Sequence, residues 1–531
     1  MSTPVVSSSP SRKRWRWLIP PALVAVAVVG VAVIYAVPSA DFGRTYRFYS
    51  AALVVFVTLL LLALWVLFLS GWRWWVRLGL VLLGVGALAL FRQAARVQYD
   101  GDMVPVGIHL SWFHSGSPPA GLSGRALEPS DLTDAPTDFP EYRNRRRDGV
   151  VSGPALVRSL AAEAQPVWRK PVGGGYGGFA VAGHALVTIE QRGDDEAVVC
   201  YDARTGDQVW AYSYPASFQE NLGGDGPRTT PTIQGEHIYS LGATGKLLCL
   251  KARTGELVWQ ADVLDQNKNV IWGMCGSPLA TEGLVIVNPG KQQDSAAGRA
   301  VLAFDAETGH EVWHAGDHPA GYCSPMRVKL AGQDQLLIFD ADGLAGYDLG
   351  GKGELWRYDW PGFNGINVAQ PLVLEGDRVF ISSGYGKGCA LVHLQHQGDH
   401  WSAEEVWKTQ ALHCKFASPV LYQDHIYGLD EGVLTCVEVK TGRRVWKGQR
   451  YGHGQLLRQD DLLVIVGERG QVALVEASPA AFHELGQVKA LEGDKTWNCP
   501  ALADGRFYIR NHQQMACFDL RASGEREVST P

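Results

Sequence analysis

Eight residues recur at intervals of roughly 40 to 50 along the C-terminal part of the chain, each just ahead of a short apolar run. They are Tyr176, Arg228, Trp272, Tyr322, Asn367, Lys415, His453 and Trp497. A second periodic set falls in the turns that follow: Glu190, Asn288, Asp340, Asp430, Glu431, Glu468 and Asn511. Aromatic faces stack on planar groups and pair with cations, and cations pair with carboxylates. A fold that carried both sets to one mouth would build a concave ligand site. The competing reading is structural: the same side chains plug and solvate a channel and link neighbouring units by hydrogen bonds.

Other chemistry is excluded by context. Gly173-x-Gly175-x-x-Gly178 has the letters of a dinucleotide fingerprint, yet it leads into a strand, so no helix N-terminus would face a pyrophosphate. Asp340-Ala341-Asp342-Gly343 opens like a calcium loop but lacks the third acidic position and the later glutamate. HExxH, GxSxG and the P-loop lysine are absent. The nine cysteines include no CxxC pair, and Cys200, Cys249, Cys436 and Cys517 occupy equivalent strand positions, as small buried thiols would. With 48 basic and 54 acidic residues the net charge is -6, which does not call for nucleic acid.

The elements that must position these residues are repeats. Asp202-Ala203-Arg204-Thr205-Gly206-Asp207-Gln208-Val209-Trp210 returns as Lys251 to Trp259, as Asp305 to Trp313 and as Val439 to Trp446. Degenerate copies end at Trp356 and Trp407. This period is that of a four-stranded propeller blade, with Thr-Gly as the hairpin turn between the two outer strands. Each unit opens on a small residue and proline: Thr230-Pro231, Ser277-Pro278, Ser324-Pro325, Gln370-Pro371, Ser418-Pro419 and Cys499-Pro500. Phe179-Ala180 and Gln455-Leu456 open two more units without the proline, making eight. The last unit stops at Leu520 without an outer strand, whereas Val167-Trp168-Arg169 is an outer strand without a unit. Together they complete one blade and close the ring, leaving no long free edge.

Ahead of the repeats lie three apolar runs, 18–37, 48–69 and 74–91, each able to cross a bilayer. Arg12, Lys13, Arg14 and Arg16 precede the first, and Arg73 and Arg77 separate the second from the third. Both clusters fit the cytoplasmic side, which places residues 1–17 inside and the propeller outside. A rival reading makes the first run a signal peptide cleaved near Val37-Pro38-Ser39-Ala40. Residues 92–165, rich in Pro, Gly, Asp and Ser, are expected to be an irregular linker. Its basic stretch Arg143, Arg145, Arg146 and Arg147 reads as a solvated cap under the propeller or a contact to anionic lipid. Residues 521–531 are expected to be a disordered tail.

The Thr-Gly-x-x-x-Trp signature, the Ser-Pro openings and the eightfold count resemble the bacterial PQQ-binding-like β-propeller family over nearly everything from Asp138 to Leu520, with the propeller itself at 166–520. The resemblance implies an all-β eight-bladed propeller behind α-helical transmembrane spans, held on the periplasmic side of the bacterial cytoplasmic membrane. The family holds quinoprotein dehydrogenases and non-catalytic propellers, so the fold does not give the function. For PQQ, a flat polyanion used with Ca²⁺, it implies stacking on Trp272 or Trp497 and pairing of carboxylates with Arg228 and Lys415. Asn288, Asp340 or Glu468 would then supply oxygen ligands to the metal. The sequence departs from alcohol-oxidising members in having no adjacent cysteines and no long blade insertions. The preferred expectation is therefore a non-catalytic scaffold for a protein, peptide or glycan partner. A PQQ- and Ca²⁺-dependent dehydrogenase acting on an alcohol or sugar is the alternative.

Overall fold

The computed structural model describes residues 15–36, 44–110, 121–220, 222–264, 271–291, 298–398, 400–493 and 495–522. The basic residues 12–14, the cleavage motif at 37–40 and most of the expected tail lie outside them. The chain divides into two compact units, 1–114 and 115–531.

The first unit holds α1 (Ile19–Ala36), α2 (Arg44–Leu64), which continues as a π turn over Trp65–Leu69, and α3 (Trp74–Ala94). All three are long and apolar enough to cross a membrane. Where α2 gives way to α3, Trp17, Trp65 and Trp72 cluster with ring centroids 5.2 to 6.2 Å apart. Arg77 closes this turn by donating to the carbonyl of Trp72 in the turn (2.6 Å) and to that of Leu67 (2.8 Å), which the ending helix leaves without an internal partner. The segment expected to be irregular begins as a hairpin, β1 (Ala95–Tyr99) against β2 (Pro105–Leu110). Its tip rests on α2, where Thr45 donates to Asp102 O at 2.9 Å and Tyr49 to Met103 O at 3.0 Å. The signal is there, in the alternation Ala95-Arg96-Val97-Gln98-Tyr99 and Val106-Gly107-Ile108-His109-Leu110 on either side of Asp100-Gly101, and a reading of the segment by its Pro and Gly content passes over it.

The second unit is the eight-bladed propeller, each blade a four-stranded antiparallel meander. The inner strands of blades 1 to 8 begin at Ala180, Thr232, Leu279, Met326, Leu372, Val420, Gln455 and Ala501. Blade 8 takes its outer strand, Trp168–Pro171, from the start of the propeller, pairing Cys517 with Trp168. Two further strands come from the expected linker. Gly121–Gly124 adds a fifth strand outside blade 1, and Val150–Val151 runs parallel to the inner strand of blade 7.

The repeated motifs act between blades. The signature indole donates to a main-chain carbonyl beside the next blade's Thr-Gly turn: Trp210 to Ala252 (3.2 Å), Trp259 to Ala306 (2.9 Å), Trp407 to Val439 (2.9 Å). The turn glycine must be glycine for two reasons. Gly309 has φ +71°, and a Cβ there would lie 2.5 Å from the Trp259 ring. The Ser-Pro openings form a belt around the axis in which each hydroxyl accepts the preceding blade's N–H. Ser277 accepts from Thr230 at 2.8 Å, Ser324 from Ser277 at 2.9 Å and Ser418 from Gln370 at 2.9 Å. Apolar clusters likewise straddle blades, Val187 and Trp210 of blade 1 packing with Ile238 and Leu248 of blade 2. The apolar core thus lies between blades, in clusters each shared by neighbours, rather than inside each blade alone.

Candidate functional site

The axial channel has a floor and a mouth. The floor comes from residues 139–151, which cross the ends of three inner strands: Phe139 bridges Val181, Pro140 accepts from Ile233, and Gly149 accepts from Arg458. From this segment two arginines enter the channel, Arg143 at 0% exposure and Arg147 at 1%. Arg147 donates to Ser277 O (3.0 Å), Pro278 O (2.6 Å) and Pro325 O (2.9 Å), and pairs with Glu141 at 2.7 Å. Arg143 donates to Leu456 O (3.1 Å), Asp148 O (3.1 Å) and Pro419 O (2.7 Å). Burial pushes the Glu141 carboxyl above its usual value, and the Arg147 charge opposes the shift. The expected solvated cap is therefore half wrong. Arg145 and Arg146 are exposed, while their neighbours are a plug that satisfies inner-strand carbonyls no ladder reaches. Arg143, Asn144 and Arg147 hold this shape with positive φ (56°, 69° and 55°), a conformation non-glycine residues adopt only when their surroundings impose it.

At the mouth, seven of the eight expected residues join one chain of contacts. Tyr176 stacks on Trp497 with centroids 5.3 Å apart. Phe416 touches Trp497 (4.8 Å) and His453 (5.5 Å), so a residue of blade 6 reaches blade 8 across blade 7, which only happens near the axis. The Lys415 ammonium lies 4.5 Å from the Tyr385 ring and 5.6 Å from Phe416. Lys495 sits 4.1 Å over Trp497, and Arg228 packs on Tyr176 and Phe218 at 5.4 and 4.8 Å. Trp272 flanks Arg228 across Gly223. Burial pushes the Tyr322 hydroxyl up, opposed by its bond to the Trp272 backbone and by the Arg228 charge. Asn367 is the exception. Fully buried, it donates to Asp340 O (2.8 Å) and Trp360 O (3.1 Å) and accepts from Ser383 (2.7 Å), welding blade 4 to blade 5.

Lys495, Phe416, Tyr385 and Phe218 escape a reading of one residue per repeat. Phe416 is next to Lys415, and Tyr385 lies between Gly384 and Gly386, a glycine-flanked aromatic that marks a built turn.

The acidic set is already engaged. Asp340 accepts from the amides of Asp342 and Gly343 and holds Arg357 at 2.9 Å. Glu468 accepts from the Trp497 indole (2.8 Å) and from the His453 amide (3.3 Å), tying blade 7 to blade 8. Asp430 binds His413 (2.7 Å) and Lys447 (2.8 Å), which hold its carboxyl low against the opposing pull of burial. Asn288 is buried within blade 3. Among the described residues no group of three or more His, Cys, Asp or Glu is placed to hold a metal ion. A donor set that is neutralised by arginine, lysine and indole does not fit Ca²⁺, which needs six or more oxygens turned to one point. A separate cavity of 540 Å³ lies at the closing seam, lined by Lys170, Gly173, Glu190, Arg192, Tyr201 and His512 among others. Its buried carboxylate, Glu190, is taken by Arg192 and Tyr201.

Fold and site together define a closed, floor-plugged eight-bladed propeller of PQQ-like repeats, with an aromatic and cationic mouth. The family model described as outer membrane protein assembly factor BamB matches residues 153–239 and 194–448, more than half of the chain. The chain belongs to that family. The outer membrane protein assembly factor BamB of Burkholderia pseudomallei is 26% identical over 301 residues, covering 54% of this chain and 70% of that protein. A quinohemoprotein alcohol dehydrogenase of Pseudomonas putida is 28% identical over 209 residues, covering 36% of this chain and 28% of that enzyme. The match thus spans under a third of the dehydrogenase. A solved quinohemoprotein alcohol dehydrogenase from Pseudomonas putida superposes with TM-score 0.52 at 13% identity, covering 76% of this chain and 84% of that one, a likeness of fold alone.

Proposed function

We propose that this protein is a non-catalytic binding propeller, anchored by its three helices in the bacterial cytoplasmic membrane with the propeller on the periplasmic side. It offers the mouth residues Tyr176, Arg228, Trp272, Tyr322, Lys415, His453 and Trp497 to a protein or peptide partner. The observation that carries this reading is the use already made of the acidic groups. Asp340 and Glu468, which would have to turn toward a Ca²⁺ ion, are instead held by Arg357 within blade 4, and by the Trp497 indole of blade 8 and the His453 amide. Aromatic and cationic groups around a concave rim suit a polypeptide, whose carbonyls and acidic side chains both accept from Arg and Lys. The relative described as an assembly factor supports a protein partner. The dehydrogenase relatives favour the second reading, a PQQ- and Ca²⁺-dependent oxidation of an alcohol or sugar. The deciding experiment is calorimetric titration of the full chain with PQQ and Ca²⁺, which heat of binding separates directly.

A further inference from the structure

The hairpin β1–β2 of the first unit has one apolar face left open. Val97 pairs with Ile108 and Tyr99 with Pro105, so these four share a face, while Gln98, paired with Gly107, lies on the other. Ile108 is 59% exposed, and Val106, at the bulge, 49%. Two strands alone are marginal in water, and an uncovered apolar face makes them more so. What holds the hairpin sets its height. The Ala95 amide, at the first position of β1, still donates to Phe91 O, so the strand leaves α3 without a linker. At the other end Thr45 and Tyr49, in the first turns of α2, hold the tip through Asp102 O and Met103 O. These turns belong to a tyrosine level. Gly30 of α1 faces Val54 of α2, so two antiparallel helices bring Tyr35 beside Tyr49 and Tyr46, all three exposed. The tryptophan cluster at Trp65 marks the opposite level. From Tyr46 to Trp65 the helix rises about 28 Å, close to the roughly 30 Å of a hydrocarbon core. Aromatic residues gather at the two surfaces of a bilayer, and the hairpin starts and ends at the tyrosine one.

We propose that the β1–β2 hairpin is an in-plane membrane contact, laying its Val97–Ile108 face into the headgroup and acyl boundary at the bilayer surface where α3 ends. The inference rests on the membrane-anchored reading of the three helices and adds a second contact with lipid to it. Valine and isoleucine side chains gain by leaving water at that depth, as the apolar face of an interfacial helix does. The unpaired main-chain groups on the hairpin's outer edges stay among headgroups and water, which supply the partners that a hydrocarbon interior would not. Because its two ends are tied to the ends of two different spans, the hairpin lies along the surface, with Gln98 on the aqueous side.

The test uses the full chain in phospholipid nanodiscs, in a Cys275→Ser background because the other cysteines are buried. Ile108→Cys, Gln98→Cys and, midway along α3, Leu83→Cys each carry one environment-sensitive fluorophore. Two quenchers are titrated: aqueous iodide, and a phospholipid with a nitroxide high on its acyl chain. The Ile108 label should be quenched by the lipid, and at least about threefold less by iodide than the Gln98 label, as burial by about 5–10 Å at the boundary requires. Equal quenching of these two labels by either agent, or an Ile108 label shielded from both, would overturn the proposal. A Leu83 label open to iodide and untouched by the lipid would instead overturn the membrane reading on which it rests.

Discussion

The indole of Trp168 donates to the carbonyl of Ala203 at 3.1 Å, the same bond that joins Trp259 to Ala306 at 2.9 Å. Trp168 precedes every repeat in the sequence and yet bonds as the signature residue of the last blade, so one interaction performs both blade packing and ring closure. The Gly206 turn seats beneath it, with a notional Cβ 2.7 Å from the Trp168 ring.

Trp168→Phe keeps an aromatic ring in the seam but trims its contact with the Gly206 turn and leaves the Ala203 carbonyl unpaired. It should cost about 1–3 kcal/mol, read as a lower urea midpoint of the full chain in detergent. Gly309→Ala should cost at least as much, because it adds backbone strain at φ +71° to a collision with Trp259.

Arg147→Met removes the partner of three buried carbonyls and of Glu141, and should lower stability by about 3–5 kcal/mol. Arg147→Lys should recover little of this, since an ammonium cannot span carbonyls of Ser277, Pro278 and Pro325 with a planar fork. Arg146→Ala, two-thirds or more exposed at its side chain, should shift the unfolding midpoint by less than about 0.5 kcal/mol.

Glu196 supplies a pH dependence. Burial between blades 1 and 2 raises its carboxyl to about 7, opposed by bonds from Tyr214 and the Ala243 amide and by the Arg228 and Lys246 charges. The folded state therefore holds a proton that the unfolded chain has released above its ordinary value of 4.5. This group's contribution to stability is fully favourable below that value, falls as pH rises toward 7, and is flat beyond. Glu196→Gln, which keeps an acceptor for Ala243, should be near neutral at pH 4 and stabilising by about 2–3 kcal/mol at pH 8, measured by urea unfolding at both.

The proposed periplasmic placement of the propeller, which rests on the basic clusters before the first span and between the second and third, predicts that protease added to intact spheroplasts releases a propeller fragment. Protection of the propeller until the membrane is dissolved would reverse the orientation.

The eight blades were legible because Thr-Gly-x-x-x-Trp and Ser-Pro each answer a local demand, a positive φ beneath an indole and a hydroxyl facing the next amide, that repeats once per blade. Closure was legible because Trp168 had no unit of its own. The plug was not. A run of arginines normally marks a solvated face, and nothing in 139–151 says that Arg143 and Arg147 will find six carbonyls, because those acceptors come from residues 130 to 313 positions away or from the plug's own turn. Gly121–Gly124 and Val150–Val151 are too short to show alternation and are strands only because blades 1 and 7 offer edges. At the mouth, one residue per repeat found the location, while Lys495, which donates to Leu222 O at 3.0 Å, lay outside the period.

The measurement that bears most directly on the account is calorimetric titration of PQQ and Ca²⁺ into the full-length protein, with dye-linked oxidation of alcohols and sugars assayed on the same sample. A scaffold whose Asp340 and Glu468 are committed to Arg357, Trp497 and His453 predicts no heat of binding at high micromolar PQQ and no turnover. Stoichiometric, Ca²⁺-dependent binding with turnover would contradict it and make this protein a quinoprotein dehydrogenase.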